Sequence, residues 1–566
     1  MWREVSCDEV RRIVLAAPPK SCSLDPIPTN LLRDCIDAIL PYLTAMVNAS
    51  LCQGCLPVSQ KKAVVTPLLK KPSLDVHDLK NYRPVSNLSF VSKLVERVAV
   101  KQLVEYLEAN ELMPKLQSAY RKHHSTETAV LRVLSDILTA VDKQQVTLLA
   151  LLDLSAAFDC VDHDILLSRL QSTFGLGGVT LGWIRSFLTD RSQRVLFNGS
   201  LSIEIMLLFG VPQGSVLGPL LFLLYAAGIF DVIESFGLSG HSYADDTQLY
   251  VSVPASESQA AAAKLAACVK ALDEWMGSNR LKLNADKTQL IWIGTRQQLA
   301  KLTVTELQLT NSVVLFTDMA MDLGVVLDGQ LSMSRQVAAV CRSCFFQIRQ
   351  LKSVKSSLTR EALHSLIQSF VHCRLDYCNS ALAGVSKVYL QKLQSVQNTA
   401  ARMVSGVRRC EHITPVLEDL HWLPISQRVV FKTALLVWKC VRGVAPVYLR
   451  DLCIPAAFVE GRQRLRSAAT GALLVPRAQT ATGQRSFAVN GPTVWNSLPP
   501  ALRSPDLSQN TFKRALRRIS SHPSSDTESF FETLPLLINL PTYLLTLRWK
   551  GFVREVGFEW SEKVKV

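Results

Sequence analysis

Leu249, Val251 and Val253 alternate with polar neighbours, and Ser242 and Tyr243 lead into them across an acidic pair. Alternation with period two marks a half-buried strand, so residues 241–253 are predicted to form a β-hairpin with Asp245-Asp246 at its turn. The run Val146-Thr147-Leu148-Leu149-Ala150-Leu151-Leu152 shows no such alternation, and its apolar continuity suits a strand covered on both faces. Further strands are predicted over 63–69, 281–284, 290–293 and 323–328. Asn198-Gly199 signals a two-residue hairpin between Val195-Leu196-Phe197 and residues 202–208.

Helical spacing governs the rest. Val91, Leu94, Val95 and Val98 share one face of a helix over 90–110, and an alanine-rich helix runs over 259–276 to Gly277. Asp159 or Asp162 is the expected cap of a short helix over 165–170. Within residues 1–60, Leu31, Leu32, Cys35, Ile36 and Ile39 fall on one face after Pro26 and Pro28, and nothing there looks catalytic. From about 332 to 450 the period is helical again, as in Leu363, Leu366, Ile367 and Phe370. The longest apolar stretch, 216–230, contains Gly218, Pro219 and Gly228. It falls short of the roughly 20 residues a membrane span needs, so a buried helix is predicted. Residues 456–566 suggest a packed turn over 493–502 around Trp495, a basic helix over 512–519, and a serine-containing tail.

At 566 residues the chain should hold three or four units of about 150 residues each, and a hydrophobic content of 48% can bury several cores. Lys and Arg number 62 against 47 Asp and Glu, a net charge of +15. The simplest partner is a polyanion such as nucleic acid, the plain alternative a soluble basic protein. Basic residues recurring after 332, among them Arg342, Lys352 and Arg409, suit the backbone of a duplex. Met1-Trp2-Arg3-Glu4 opens no apolar run, so no secretory signal is expected, and 14 cysteines in that context indicate reduced thiols in the nucleus or cytoplasm.

The chemistry starts at Asp153, which ends the 146–152 run. A carboxylate at the end of a buried strand is costly unless it is paired or bound to a metal. Brought beside Asp245-Asp246, it could help hold two Mg²⁺ ions roughly 4 Å apart, clamping the attacking and leaving oxygens of a phosphoryl transfer. Nucleotidyl transfer is the reaction class suggested; an acidic pair on its own is a solvated turn. Lys61-Lys62 and Lys70-Lys71 bracket the 63–69 strand and Arg83 follows it. This basic hairpin could grip a triphosphate, Arg83 through a bidentate guanidinium, with solvated lysines as the alternative. Small residues before Phe158 would let backbone approach a sugar, the ring acting as a wall, and the glycines of Gly210-Val211-Pro212-Gln213-Gly214-Ser215 permit a similar approach to a ligand.

Leu152-Asp153-Leu154-Ser155-Ala156-Ala157-Phe158-Asp159, the Gly210–Ser215 stretch and Tyr243-Ala244-Asp245-Asp246 together resemble, in order, the motifs of LINE-type, non-LTR retrotransposon reverse transcriptases. The similarity runs from about Lys61 to Asp328, with helical similarity to about Leu502. It implies an α+β right-hand polymerase, with a helical lead-in (1–60), fingers (61–150) and a palm of antiparallel sheet and helices (151–330). A helical, basic, thumb-like region (331–455) and a C-terminal region with a partly disordered tail (456–566) would follow. It implies metal ligands at Asp153, Asp245 and Asp246, for two Mg²⁺ ions with Mn²⁺ as the alternative. Nucleotide contacts fall on Arg83, Phe158 and Gln213, with Lys62 and Lys70 competing for the fingers lysine, and the proton-donating lysine falls on Lys287. The implied partners are an RNA template, a DNA primer from a nicked target, and dNTPs, with no membrane. Lys122 stands where many relatives have proline, and residues 226–229 replace a common Ile-Asn-Asp-Leu. Residues 1–60 could not supply the N-terminal endonuclease of full-length elements. A truncated element is therefore expected, its endonuclease lying in a missing N-terminal region or acting in trans. The competing expectations are a catalytically inactive nucleic-acid-binding remnant and an RNA-templated RNA polymerase, the latter disfavoured by the bulk of Phe158.

Overall fold

The computed structural model describes residues 2–309, 312–461 and 470–521. The architecture is α+β, organised on two main sheets. One sheet has the order β2-β1-β4-β5 with β6 also on β4. It is built from β1 (Lys62–Leu69), β2 (Tyr82–Asn87), β4 (Arg191–Phe197), β5 (Ser200–Leu201) and β6 (Ile205–Leu207). The other has the order β7-β8-β3-β9, from β3 (Val146–Leu152), β7 (Ser239–Tyr243), β8 (Asp246–Val253) and β9 (Gln289–Ile293), all antiparallel.

Every residue of β3 is buried, as its unbroken apolar run requires. Leu148, Ala150 and Leu152 face one core with Leu249, Leu290 and the helices Phe90–Ala109 and Ser258–Ser278. Leu149 and Leu151 face a second core with Tyr250, Ile291, Ile293 and the helices Thr126–Asp142 and Ser334–Val354. The strand is a shared wall between the two.

Several expected elements fold differently. The apolar stretch after Val216 is two helices, Gly218–Tyr225 and Ile229–Ser235. It breaks where the Arg169 guanidinium takes the Tyr225 carbonyl and the Trp275 ring lies against Gly228. Gly218–Ser235 is apolar and long enough by composition to cross a membrane, yet more than half of it is buried inside the protein. Residues 281–284 form only an isolated bridge, Leu154 to Leu283, because this segment follows the chain around Asp153 instead of a sheet edge. Within 323–328, Leu323 and Gly324 take positive φ angles of 45° and 82° and turn between the strands Met319–Asp322 and Val325–Asp328. The Asn198-Gly199 turn forms as expected, but the partner strand is split: pairing breaks after Leu201, where the Ser202 hydroxyl accepts the Val195 N–H, and resumes at β6 within the expected 202–208 span, against Arg191–Gln193. In the lead-in, Thr29–Asp34 and Ile36–Gln53 are separate helices, so the single face expected through Cys35 is interrupted and Leu31 is exposed.

Candidate active site

The β7–β8 hairpin pairs Tyr243 with Asp246, so its two-residue turn is Ala244-Asp245 and Asp246 is the first residue of β8. The turn lies one residue earlier than the acidic pair suggested. Ala244 has φ 59°, the single left-handed position of the turn. β3 runs antiparallel to β8 with Leu152 opposite Thr247, and one further step brings Asp153 to the level of Asp246. Three carboxylates thus gather at one end of the sheet, delivered by two adjacent strands.

Their electrostatics reflect crowding. Burial, then repulsion from Asp153, raises the Asp245 carboxyl above the usual carboxylate range, opposed by Lys287 and Arg83. Burial, then Asp245 and Asp153, pushes Asp246 up to about 6, although the residue as a whole is exposed at the mouth of the sheet. The compensating charge next to them is Lys287, whose Nζ lies 2.9 Å from Asp153 Oδ2. It comes from a short turn of helix, Ala285–Lys287, directly before β9. Asn284 Nδ2 donates to the same Oδ2 at 3.2 Å, and its N–H donates to the Asp153 carbonyl at 2.8 Å.

The glycine-containing loop is wired to this centre through backbone. Val211 N–H donates to Phe158 O at 2.9 Å, and Ser86 N–H of β2 donates to Gln213 O at 2.7 Å. Gly214 sits at φ +132°, and a Cβ there would lie 2.4 Å from Ser86 O, so only glycine lets the loop reach β2. The Gln213 carboxamide donates to both Asp159 oxygens at 3.0 and 3.1 Å. Asp162, accepting from Asp164 and Ile165 N–H groups, is the helix cap. Behind the loop, the fully buried Glu96 accepts the Val216 and Leu217 N–H groups at 2.6 and 3.0 Å.

Of the residues singled out by sequence, Asp153, Asp245 and Asp246 share one end of the sheet with Lys287 in contact with Asp153, and Arg83 on β2 is near enough for its charge to act on Asp245. Phe158 and Gln213 are tied to one another through the 210–215 loop and Asp159. Phe158 is half-buried and stacked on Phe222, ring centroids 4.7 Å apart. Lys62 and Lys70 do not touch the carboxylates: Lys62 lies 4.0 Å from Glu204, and Lys70 Nζ donates to Lys80 O at 2.7 Å, closing its own hairpin. Arg342, Lys352 and Arg409 are exposed on or beside the helices Ser334–Val354 and Lys387–Ser405, with no ion-pair partner among the described residues. Sequence reasoning missed Asn284, Glu96 and Gln117; the first had a signal, its position three residues before Lys287, and the others had none.

Among the described residues no three His, Cys, Asp or Glu side chains converge as a ready-made metal cage. The donor set nonetheless fits a hard divalent ion: oxygen ligands only, crowded like charges, and an Asp153 whose described side-chain hydrogen bonds both fall on Oδ2.

With that geometry in view, comparison with known proteins defines the class. Residues 69–313 match the family described as "Reverse transcriptase (RNA-dependent DNA polymerase)". "Probable RNA-directed DNA polymerase from transposon BS" of Drosophila melanogaster is 27% identical over 439 residues, 75% of this chain and 47% of that one. "RNA-directed DNA polymerase from mobile element jockey" of the same organism is 25% identical over 412 residues, 71% of this chain and 44% of that one. The structure of apo telomerase from Candida tropicalis, truncated from its C-terminal domain, aligns with TM-score 0.33 at 11% identity over 48% of this chain and 56% of that one, too low to bear on the fold. Residues 69–313 thus carry the reverse transcriptase match, and over about three quarters of its length the chain is similar to polymerases of the LINE-type, non-LTR retrotransposon kind. It spans less than half the length of the curated relatives it matches.

Proposed function

We propose that this chain extends a DNA primer on an RNA template, joining the α-phosphate of a dNTP to the primer 3′-hydroxyl and releasing pyrophosphate. The observation that carries the reading is the meeting of Asp153 with the Ala244-Asp245 turn and Asp246 at one sheet end, faced by Lys287. The match of residues 69–313 to the reverse transcriptase family supports it. That family is generally dependent on divalent metal; here Mg²⁺ held by Asp153, Asp245 and Asp246, with Mn²⁺ as a substitute, would supply Lewis-acid stabilisation of the transferring phosphoryl group. Arg83 is assigned to the triphosphate, Gln213 and Phe158 to the nucleotide's sugar side, and Lys287 to protonation of the leaving pyrophosphate, for which its ammonium must leave Asp153. Arg342, Lys352 and Arg409 are assigned to duplex phosphates, and the 14 free cysteines accord with a nuclear or cytoplasmic setting.

The reading is tested by primer extension on poly(rA)/oligo(dT) with purified protein, Mg²⁺ or Mn²⁺, and dTTP. Extension is expected, and its loss in Asp153→Asn with duplex binding retained. Extension by Asp153→Asn at the unmutated rate would overturn it.

A further inference from the structure

The hairpin that carries Asp245 is gripped from behind by groups the proposed chemistry does not use. Leu116-Gln117-Ser118 runs beside β7 like an extra strand: Ser242 N–H donates to Leu116 O at 2.9 Å and Ser118 N–H to Ser242 O at 2.9 Å. That placement brings the buried Gln117 carboxamide against the turn. Its Oε1 accepts the Ala244 N–H at 2.9 Å and its Nε2 donates to the Ala244 carbonyl at 3.1 Å. Oε1 also accepts Ala119 N–H at 3.0 Å, which fixes the orientation of the amide. One side chain therefore satisfies both backbone groups of the residue held at φ 59°, a conformation that L-residues rarely adopt.

Next to it, Ser118 begins a line of buried hydrogen bonds whose direction can be worked out. Thr128 Oγ1 donates to Ser125 O at 2.8 Å, so it must accept from Tyr448 OH at 3.0 Å. With its proton spent, Tyr448 accepts from Ser118 Oγ at 2.7 Å. Ser118 has one proton and must accept from His241 Nε2 at 2.8 Å. This leaves His241 Nδ1 as a bare acceptor, and that atom is buried with no partner. Burial keeps the ring neutral down to about 3, and its face meets the Tyr448 ring edge-on at 4.8 Å. The line thus runs one way, from β7 through Ser118 and Tyr448 to the start of the Thr126–Asp142 helix. Tyr448 belongs to the helix Val447–Arg450, far along the chain in the C-terminal helical region.

We propose that Gln117 and Tyr448 are positioning residues for the catalytic hairpin, Gln117 by pinning Ala244 and Tyr448 by anchoring the Gln117-Ser118 segment to the C-terminal helical region. Neither residue reaches the reacting atoms. Each acts through the angle at which the turn presents Asp245.

The test compares Gln117→Met, close in shape but unable to make either bond, with Tyr448→Phe, and reads hydrogen exchange alongside kinetics. In Gln117→Met, amide exchange at residues 244–247 is expected to speed up about 10-fold while β3 and β9 keep their protection. Its kcat should fall about 10- to 100-fold with KM for dTTP nearly unchanged. Tyr448→Phe should shift both readouts the same way by less. Adding Ala244→Gly, which takes a positive φ without strain, should restore part of the kcat lost in Gln117→Met. The kinetic arm rests on the polymerase reading; the exchange arm does not. Absence of extension by the unmutated protein would sink that reading alone. Unchanged exchange at 244–247 in Gln117→Met, or an equal loss of protection throughout the sheet, would overturn the positioning role.

Discussion

Asp246 and Asp322 are both carboxyls raised well above their usual range, and they differ in what would bring them back. Asp246 is pushed up to about 6 by burial and then by two neighbouring carboxylates. Asp322, wholly buried, is pushed up to about 7 chiefly by burial and in smaller part by the Asp246 charge, with the Gln248 carboxamide donating to it at 2.6 Å. A cation placed among Asp153, Asp245 and Asp246 relieves the first; the burial that dominates the second is relieved by a proton, because its Oδ2 and the Gln248 Oε1 are buried without partners. Crowded charge at an open strand end marks a site that receives something. An acid wholly buried behind that end marks chiefly a cost of the fold.

Charge removal at the two places should therefore have opposite results. Asp245→Asn is expected to lower primer extension at least about 10³-fold, close to abolition, because it removes ligand charge from the proposed two-ion site. Duplex binding, read by filter retention, should survive. Asp322→Asn should extend primers at the unmutated rate. Equal losses in the two variants would erase the distinction drawn here.

Lys287 sharpens the comparison, being the protein's own cation at the open site. Lys287→Leu is expected to slow single-turnover extension by about 10²-fold, at the low end of general acid contributions. An unchanged rate would reduce it to a counter-ion for Asp153. Phe158→Val should raise the use of rTTP relative to dTTP by about 10-fold, as the ratio of kcat/KM values. Equal loss with both sugars would mean that the ring's stacking on Phe222 is its whole role.

The smallest effect is expected in stability. A folded-state pKa raised from 3.8 to about 7 means that the native protein holds a proton the unfolded chain has lost. The Asp322 contribution is thus most favourable below about 3.8 and erodes as pH rises toward about 7. Asn cannot ionise, so Asp322→Asn should raise the melting temperature at pH 8 by about 2 °C and change little at pH 4. A gain at pH 4 equal to that at pH 8 would contradict the sign.

What could be read without coordinates was what burial imposes directly. The unbroken run of β3 reports a strand covered on two faces, and the alternation after Asp246 reports one beside it. The features that escaped depend on residues remote in the chain. The apolar helix breaks because Arg169 and Trp275 reach Tyr225 and Gly228. The Leu323 carbonyl in the 323–324 turn is held by the Tyr377 hydroxyl at 2.7 Å. The catalytic turn sits one residue early because Gln117 holds Ala244 by both backbone groups. No periodicity announces a side chain that serves someone else's backbone, so Gln117 was invisible while Asp153 and Asp245 stood out.

The double burial of β3 also sets an order of events during synthesis. When the ribosome has delivered only as far as the sheet, Leu149, Leu151, Ile291 and Ile293 have the earlier helix Thr126–Asp142 as partial cover, and the rest of their apolar face stays wet until the helix Ser334–Val354 and beyond arrive. Exposed faces of this kind on incomplete chains invite chaperones or aggregation. The three carboxylates are encoded early, and the sheet that presents them is fully covered only once the helices after Ser334 have been made.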